Sequence, residues 1–239
     1  MRRFFAPQTS FTDNHVSLDA DETRHLRDVL RLKTGDEVSV FDGEGKEFRC
    51  SIEVIGKKSS ELSVIEEIEP ASPESPLEIT VAATVLNGEK YDLIIQKTVE
   101  LGVTRLVPMT TIRCDVKVKD AMKRMDRWRR IAMEATKQTG RAKLMSIGEP
   151  SAFVDVLANA KGENVVLFSE RDGIDFSPVA VDKKITALYG PKGGWDDSEL
   201  ELAAKRNVKI VTLGGRILRA ETASIAITAI LQHRFGDLN

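Results

Sequence analysis

Apolar and polar residues alternate in short stretches over roughly the first third of the chain. From Leu77 the pattern changes to apolar runs separated by amphipathic segments. In the first part, Glu37 to Phe41 and Glu47 to Ile55 read as strands, and Asp42-Gly43-Glu44-Gly45 between them is a turn signal. Glu61 to Ile68 is a third strand, with Leu62, Val64 and Ile68 as its apolar positions. Asp19 to Leu32 repeats at helical spacing instead. Leu26, Val29 and Leu30 share one face, and Arg24, Arg27 and Arg31 recur at spacings of three and four as a basic stripe. Short strands, one helix and glycine turns predict a small barrel-like domain over residues 1–69.

Pro70 to Pro76 holds three prolines in seven residues, which removes amide donors and favours extended backbone, so 70–76 is predicted to be a linker. Beyond it strands and helices alternate. Strands are expected at Ile79 to Leu86, Arg105 to Pro108, Val165 to Ser169, Ile185 to Tyr189 and Val208 to Leu213. Helices are expected at Glu89 to Leu101, Ala121 to Thr139, Asp197 to Arg206 and Glu221 to Phe235. This alternation predicts an α/β domain over 77–239, a parallel sheet covered by helices on both faces.

The last helix adds a prediction about assembly. Thr222 to Gln232 contains no charged residue and is apolar on every side. A helix without a polar face needs cover all round. The sheet covers one side, so a second copy of the chain is expected on the other, giving a homodimer.

Composition changes the picture at two points. Net charge is −2, yet the stretch from Arg113 to Lys143 carries eleven basic residues against four acidic ones, and Arg2 and Arg3 precede the arginine helix. Such patches on a nearly neutral body either bind a polyanion or form a solvated helix face. The two cysteines, Cys50 and Cys114, are too few for a disulfide framework or a zinc site. No apolar run reaches membrane-spanning length and Arg2-Arg3-Phe4-Phe5 opens no secretory signal, so a cytoplasmic protein is expected, with no membrane partner and no metal.

Ligands of open α/β sheets bind outside the carboxyl ends of the strands. Two such ends here are rich in glycine: Gly190-Pro191-Lys192-Gly193-Gly194-Trp195 and Leu213-Gly214-Gly215-Arg216-Ile217-Leu218-Arg219-Ala220-Glu221. Neither is a Walker or dinucleotide phosphate loop. They are either ordinary strand-to-helix turns or a site for an adenosine-containing cofactor that lacks a diphosphate. Trp195 and Trp128 are expected in cores rather than stacked on bases, and His25 as a packing residue.

These two loops resemble the signature loops of the SPOUT class of methyltransferases. More closely they resemble the RsmE-type family, which methylates N3 of a uridine in bacterial small-subunit ribosomal RNA. The similarity continues through Arg3-Phe4-Phe5, His25 to Arg31, Phe41-Asp42-Gly43, Ile95-Gln96-Lys97, Glu100 to Val103, Arg113-Cys114, Gln138, Gly140, Arg141 and Arg234 to Leu238. The chain departs from the family at Lys192, where Glu is usual, and at Ile112, where an acidic residue is common.

The resemblance implies a PUA-like β-barrel domain followed by a trefoil-knotted methyltransferase domain that dimerises. It implies an S-adenosylmethionine pocket made by Phe168, Ser169 and Glu170; by Gly190, Pro191, Gly193 and Gly194; and by Leu213, Gly214, Arg216, Ile217, Leu218 and Glu221. Arg219 and Arg113 are its candidates for stabilising a uridine anion, while Glu221 either acts as a base or caps the last helix. RNA, within the small ribosomal subunit, is expected to be held by Arg2, Arg3, Arg24, Arg27, Arg31, Lys117 and Arg141. Two alternatives stay open: a related enzyme acting on another RNA or on a ribose hydroxyl, and a non-catalytic RNA-binding dimer.

Overall fold

The computed structural model describes residues 1–160, 164–171, 173–177 and 179–238. Two compact units are present, one of residues 1–74 with 136–144, the other of residues 75–135 with 145–238.

The first unit is built on one six-stranded sheet. Its strands are β1 (Arg3–Phe5), β2 (Phe11–Thr12), β3 (His15–Leu18), β4 (Glu37–Phe41), β5 (Glu47–Ile55) and β6 (Ser60–Ile68), in the order β1-β4-β5-β6-β3-β2. β1 runs parallel to β4 and the other pairs are antiparallel. Phe4 on one edge and Phe11 on the other pack into the same core as Val38, Val40, Ile52 and Leu62, so the sheet curls around a single apolar centre. The turn at Asp42 to Gly45 is tied by Asp42, whose Oδ1 accepts from the amides of Glu44, Gly45 and Lys46.

The helix expected over Asp19 to Leu32 forms differently. Asp19 caps α1 (Ala20–Arg24) by accepting from the amides of Asp21 and Glu22, and a π-helical turn, His25–Val29, follows. Arg31 then takes a φ of 54° and ends the helix. The π turn and this left-handed residue change the angular spacing, so Arg24, Arg27 and Arg31 do not form the continuous stripe expected of an α-helix.

Residues 136–144 were expected with the α/β domain, and the structure groups them with the first unit instead. The reason is polar satisfaction. The Arg3 guanidinium donates to the carbonyls of Thr136, Lys137 and Arg141 while forming a two-point pair with Glu47. Lys137 pairs with the buried Glu22, and Leu144 donates its amide to Gly43.

The second unit holds a seven-stranded sheet in which every pairing is parallel. Its elements are β7 (Glu78–Thr84), α2 (Glu89–Glu100), β8 (Arg105–Thr110), α3 (Val118–Met122), α4 (Met125–Thr139), β9 (Ser146–Ile147), β10 (Ser151–Ala152), α5 (Phe153–Asn159), β11 (Val165–Ser169), β12 (Lys184–Tyr189), α6 (Asp197–Lys205), β13 (Lys209–Thr212) and α7 (Ala220–Phe235). The last turn of α4 belongs to the first unit. The main path of the sheet is β10-β8-β7-β12-β11-β13, with β9 also on β8. One apolar core contains Ile79, Val81, Ile94, Trp128 and Leu231; a second contains Leu167, Leu188, Trp195 and Phe153. The single basic helix expected from Ala121 is two helices, α3 and α4, and Gly140 stops the second with a φ of 80°.

Candidate functional site

β12, β11 and β13 lie side by side towards one edge of the sheet, with β13 outermost, and the chain turns into a loop at the carboxyl end of each. These three loops enclose a cavity of about 370 Å³. Phe168, Ser169 and Glu170 line it from the first loop; Gly190, Pro191, Gly193 and Gly194 from the second; Leu213, Gly214, Arg216, Ile217 and Leu218 from the third. Twelve of the thirteen residues expected to hold a cofactor therefore share one cavity.

Its shape depends on two glycines. Gly194 has a φ of 72°, and a Cβ there would stand 2.3 Å from Glu170 Oε1. A Cβ on Gly190 would stand 2.8 Å from Trp195 Nε1, the atom that donates to Phe168 O at 2.8 Å. Trp195 is thus a fully buried strut between the first two loops, a packing role as expected. Tyr189 sits beside it, its hydroxyl 3.0 Å from that of Thr228 on α7, and burial pushes the phenol far above its ordinary pKa. The third loop has a different character. Ile217 is 83% exposed and Leu218 41% exposed, apolar side chains at a cavity with no cover of their own.

Sequence reasoning did not assign Ala220, Ala223 and Ile227 to the cofactor site, yet all three line the cavity from α7. Their spacing of three and four along a helix following a glycine loop was the available signal.

Glu221 is a correction. It lies outside the 370 Å³ cavity and lines a neighbouring one of about 260 Å³, because on α7 it points away from the face bearing Ala220, Ala223 and Ile227. There it pairs with Lys90 at 3.1 Å. Burial would raise its pKa, but hydrogen bonds from its own backbone amide and from Lys90 outweigh this and hold the carboxyl below its ordinary value.

Arg113 lines the same smaller pocket. Its guanidinium donates to the carbonyls of Gly193 and Trp195, at 3.3 and 3.1 Å, and pairs with Asp196 at 3.2 Å. It clamps the second glycine loop. Asp196 in turn caps α6, with Glu199 completing a capping box. Hydrogen bonds from Ser198, with the nearby Arg113 charge, hold the Asp196 carboxyl below its ordinary value. Arg219 is exposed at the N-cap of α7 and lines neither cavity.

The residues expected to hold RNA divide into two groups. Arg2, Arg24, Arg31 and Lys117 are exposed and Arg27 is half-exposed, with Arg24 paired to Asp21 and Arg27 to Asp28. Arg3 and Arg141 are not surface groups. Arg3 sits over the Phe41 ring within its network of carbonyls, and Arg141 is 3% exposed and paired with Glu74. Arg141 is buried out of reach of a phosphate backbone, and the partly buried Arg3 has its guanidinium taken up by Glu47 and three carbonyls. On α3 and α4, Lys123, Arg127 and Arg129 pair with Asp120, Asp92 and Asp126, so part of the basic run is internally balanced.

Comparison with known proteins sets this geometry in a family. Residues 73–232 match the RNA methyltransferase domain family, and residues 18–65 match the RNA methyltransferase PUA domain. A Rickettsia conorii protein named ribosomal RNA small subunit methyltransferase E is 32% identical over 230 residues, covering 93% of this chain and 90% of its own. The Bacillus subtilis protein of that name is 29% identical, with 96% of each chain covered. The crystal structure of that enzyme from Neisseria gonorrhoeae, bound to S-adenosyl methionine, superposes with a TM-score of 0.91 at 32% identity over the whole of both chains. A Legionella pneumophila structure with bound SAM also gives 0.91, at 31% identity and 99% coverage of each chain. A PUA-like sheet, an all-parallel α/β unit and sequence similarity along nearly the full length coincide here, and the chain belongs to the ribosomal RNA small-subunit methyltransferase E family.

Proposed function

We propose that this protein uses S-adenosylmethionine to methylate N3 of a uridine in the ribosomal RNA of the small subunit. The observation that carries this is the 370 Å³ cavity at the carboxyl ends of β11, β12 and β13, in a chain of this family. Its chemistry fits the cofactor. Glycine backbone can approach an adenine edge, Leu213, Ile217 and Leu218 offer apolar faces, and no phosphate loop is needed for a ligand without a diphosphate.

When bound, the cofactor supplies a sulfonium methyl group that a nitrogen nucleophile takes by in-line displacement, a reaction in which positioning contributes much of the acceleration. The chain's own residues supply that positioning. Arg113 fixes the second loop through Gly193 O and Trp195 O, and Trp195 fixes the first through Phe168 O. Arg219, exposed at the start of α7, suits donation to a uracil oxygen. Arg2, Arg24, Arg27, Arg31 and Lys117 are the RNA-holding set that remains once Arg3 and Arg141 are removed.

The same reading includes a homodimer through α7, the threaded knot of the SPOUT class and a cytoplasmic setting. In this chain Ser224, Ile227, Thr228 and Leu231 of α7 are buried, whereas Ile225, Ala226 and Ala229 are half-covered and Ile230 is exposed. That uncovered side of a helix uncharged from Thr222 to Gln232 supports a second copy as its cover.

Calorimetric titration with S-adenosylmethionine, alongside Arg216→Ala protein, tests the cofactor site, and the variant is expected to bind more weakly. Methyl transfer to small subunits lacking the modification, with mass spectrometry of the digested RNA, tests the product. Methyl on N3 of one uridine is expected. Methyl on ribose, or no cofactor binding by folded protein, would overturn the proposal.

A further inference from the structure

The smaller pocket beside the cofactor cavity is lined by Val85, Leu86 and Asn87 after β7, Lys90 on α2, Arg113 to Asp115 after β8, and Glu221 on α7, and it shares Pro191 and Lys192 with the larger cavity. We infer that this pocket receives the target uracil, turned out of the RNA, and that Lys90 stabilises the charge the ring acquires when N3 loses its proton. This rests on the function proposed above and extends it from the cofactor to the substrate base.

Size and wall chemistry support the occupant. At about 260 Å³ the pocket falls just below the range typical of drug-sized ligands, which suits a single ring. Val85, Leu86 and Pro191 are buried apolar walls, while Asn87, Lys90 and Lys192 are exposed polar groups among the lining residues. Enzymes that act on a base extrude it into such a site and read its edge by hydrogen bonds. The shared Pro191–Lys192 wall brings a ring held here against the loop that bounds the cofactor cavity.

The pocket's cations suit the oxygens of uracil, while its two carboxylates are Asp115 and Glu221, the latter already paired with Lys90. Lys90, Arg113 and Lys192 donate hydrogen bonds and accept none. They match the carbonyl oxygens at positions 2 and 4 of uracil and oppose the amino group that cytosine carries at position 4. Loss of the N3 proton to water leaves its electron pair on N3, delocalised onto those two oxygens, so the same donors bind the anion more strongly than the neutral ring.

Among these cations Lys90 is the one held for the task. Its Nζ lies 3.1 Å from Glu221 Oε1, and Glu221 is 14% exposed, so the ammonium is anchored at the pocket before any base arrives. The Arg113 guanidinium is engaged with Gly193, Trp195 and Asp196, which makes Arg113 a positioning residue for the loop. The other charged groups around Lys90 are Asp115 on the segment after β8, Lys192 on the second glycine loop and Arg219 at the start of α7. An ammonium placed in advance stabilises developing charge without reorganisation, and removing such a donor typically costs about 100-fold or more in turnover.

The test compares wild type, Lys90→Ala and Lys90→Arg on small subunits lacking the methyl group, with cofactor and RNA affinities measured separately by calorimetry and by fluorescence anisotropy. Lys90→Ala is expected to lower kcat about 100-fold while both affinities change less than about threefold, and Lys90→Arg to recover part of the loss. Because the missing charge matters less once the base ionises unaided, the wild-type to Lys90→Ala ratio should shrink as pH rises. It should also shrink on RNA carrying 5-fluorouridine, a more acidic base, at the target position. Wild-type turnover in Lys90→Ala would overturn the inference. So would a defect unchanged by pH or fluorination, or one confined to RNA affinity and its salt dependence, which would make Lys90 a phosphate contact. Failure of the wild type itself to methylate uridine N3 would instead remove the underlying functional proposal.

Discussion

Single side chains divide the arginines of this protein into two kinds that sequence alone does not separate. Arg141 looks like one more member of a basic run, yet it is 3% exposed and paired with Glu74. Arg141→Ala removes a buried side chain and opens a void, while the exposed Glu74 keeps its solvation, so it should cost about 1–3 kcal/mol in chemical denaturation. The slope of RNA affinity against salt should stay as in wild type. A reduced slope with unchanged stability would return Arg141 to the RNA surface. Glu22 carries a pH prediction. Burial raises its pKa above 4.5, and Lys137 offsets this only in part. Folded protein then binds more protons than unfolded protein between those two values, so this contribution is full below about pH 4.5 and is lost as pH rises through the higher folded value. Glu22→Gln should flatten that part of the curve of denaturation midpoint against pH. A curve of unchanged shape would show that the raised pKa is absent.

At the scale of elements, the second glycine loop is the most constrained piece of the site. Gly194→Ala would force a left-handed backbone on a residue with a Cβ and drive that atom into Glu170. Strain of this kind costs about 1–3 kcal/mol, and about 1.4 kcal/mol is a factor of ten in affinity, so cofactor binding should weaken about fivefold to a hundredfold. Calorimetry checks this, and wild-type affinity would mean that the loop does not touch the ligand. The helix near the N-terminus shows where pattern reading stops. Apolar spacing at Leu26, Val29 and Leu30 announces a helix, but nothing in it distinguishes an α turn from the π turn found at His25–Val29. That difference comes from packing: Leu26 is fully buried and Leu30 partly so against the sheet core, whereas Val29 is exposed. Short elements such as β9, β10 and α5 left too few residues for a period to register.

For the whole molecule, helix α7, uncharged from Thr222 to Gln232, makes assembly testable. Ile230, 38% exposed on the side the chain leaves uncovered, becomes costly to bury as a carboxylate. Ile230→Asp should shift the species seen in sedimentation from dimer to monomer and reduce methyl transfer; a stable, active dimer would place the interface elsewhere. The order of strands and helices, the proline-rich stretch and the two glycine loops at strand ends were all legible in the sequence, because period, proline and glycine act over a few residues. So was the resemblance to the family, carried by the residues of those loops. Which charges face water was not, since exposure depends on residues far apart in the chain: the Arg3 guanidinium is engaged by carbonyls more than 130 residues away. Nor was the transfer of 136–144 to the first unit, or the placing of Glu221 beside Lys90 and away from the cofactor cavity. Local pattern determined the elements and the loops between them; only the tertiary structure, by satisfying buried polar groups across long separations, decided which side chains those loops bring together.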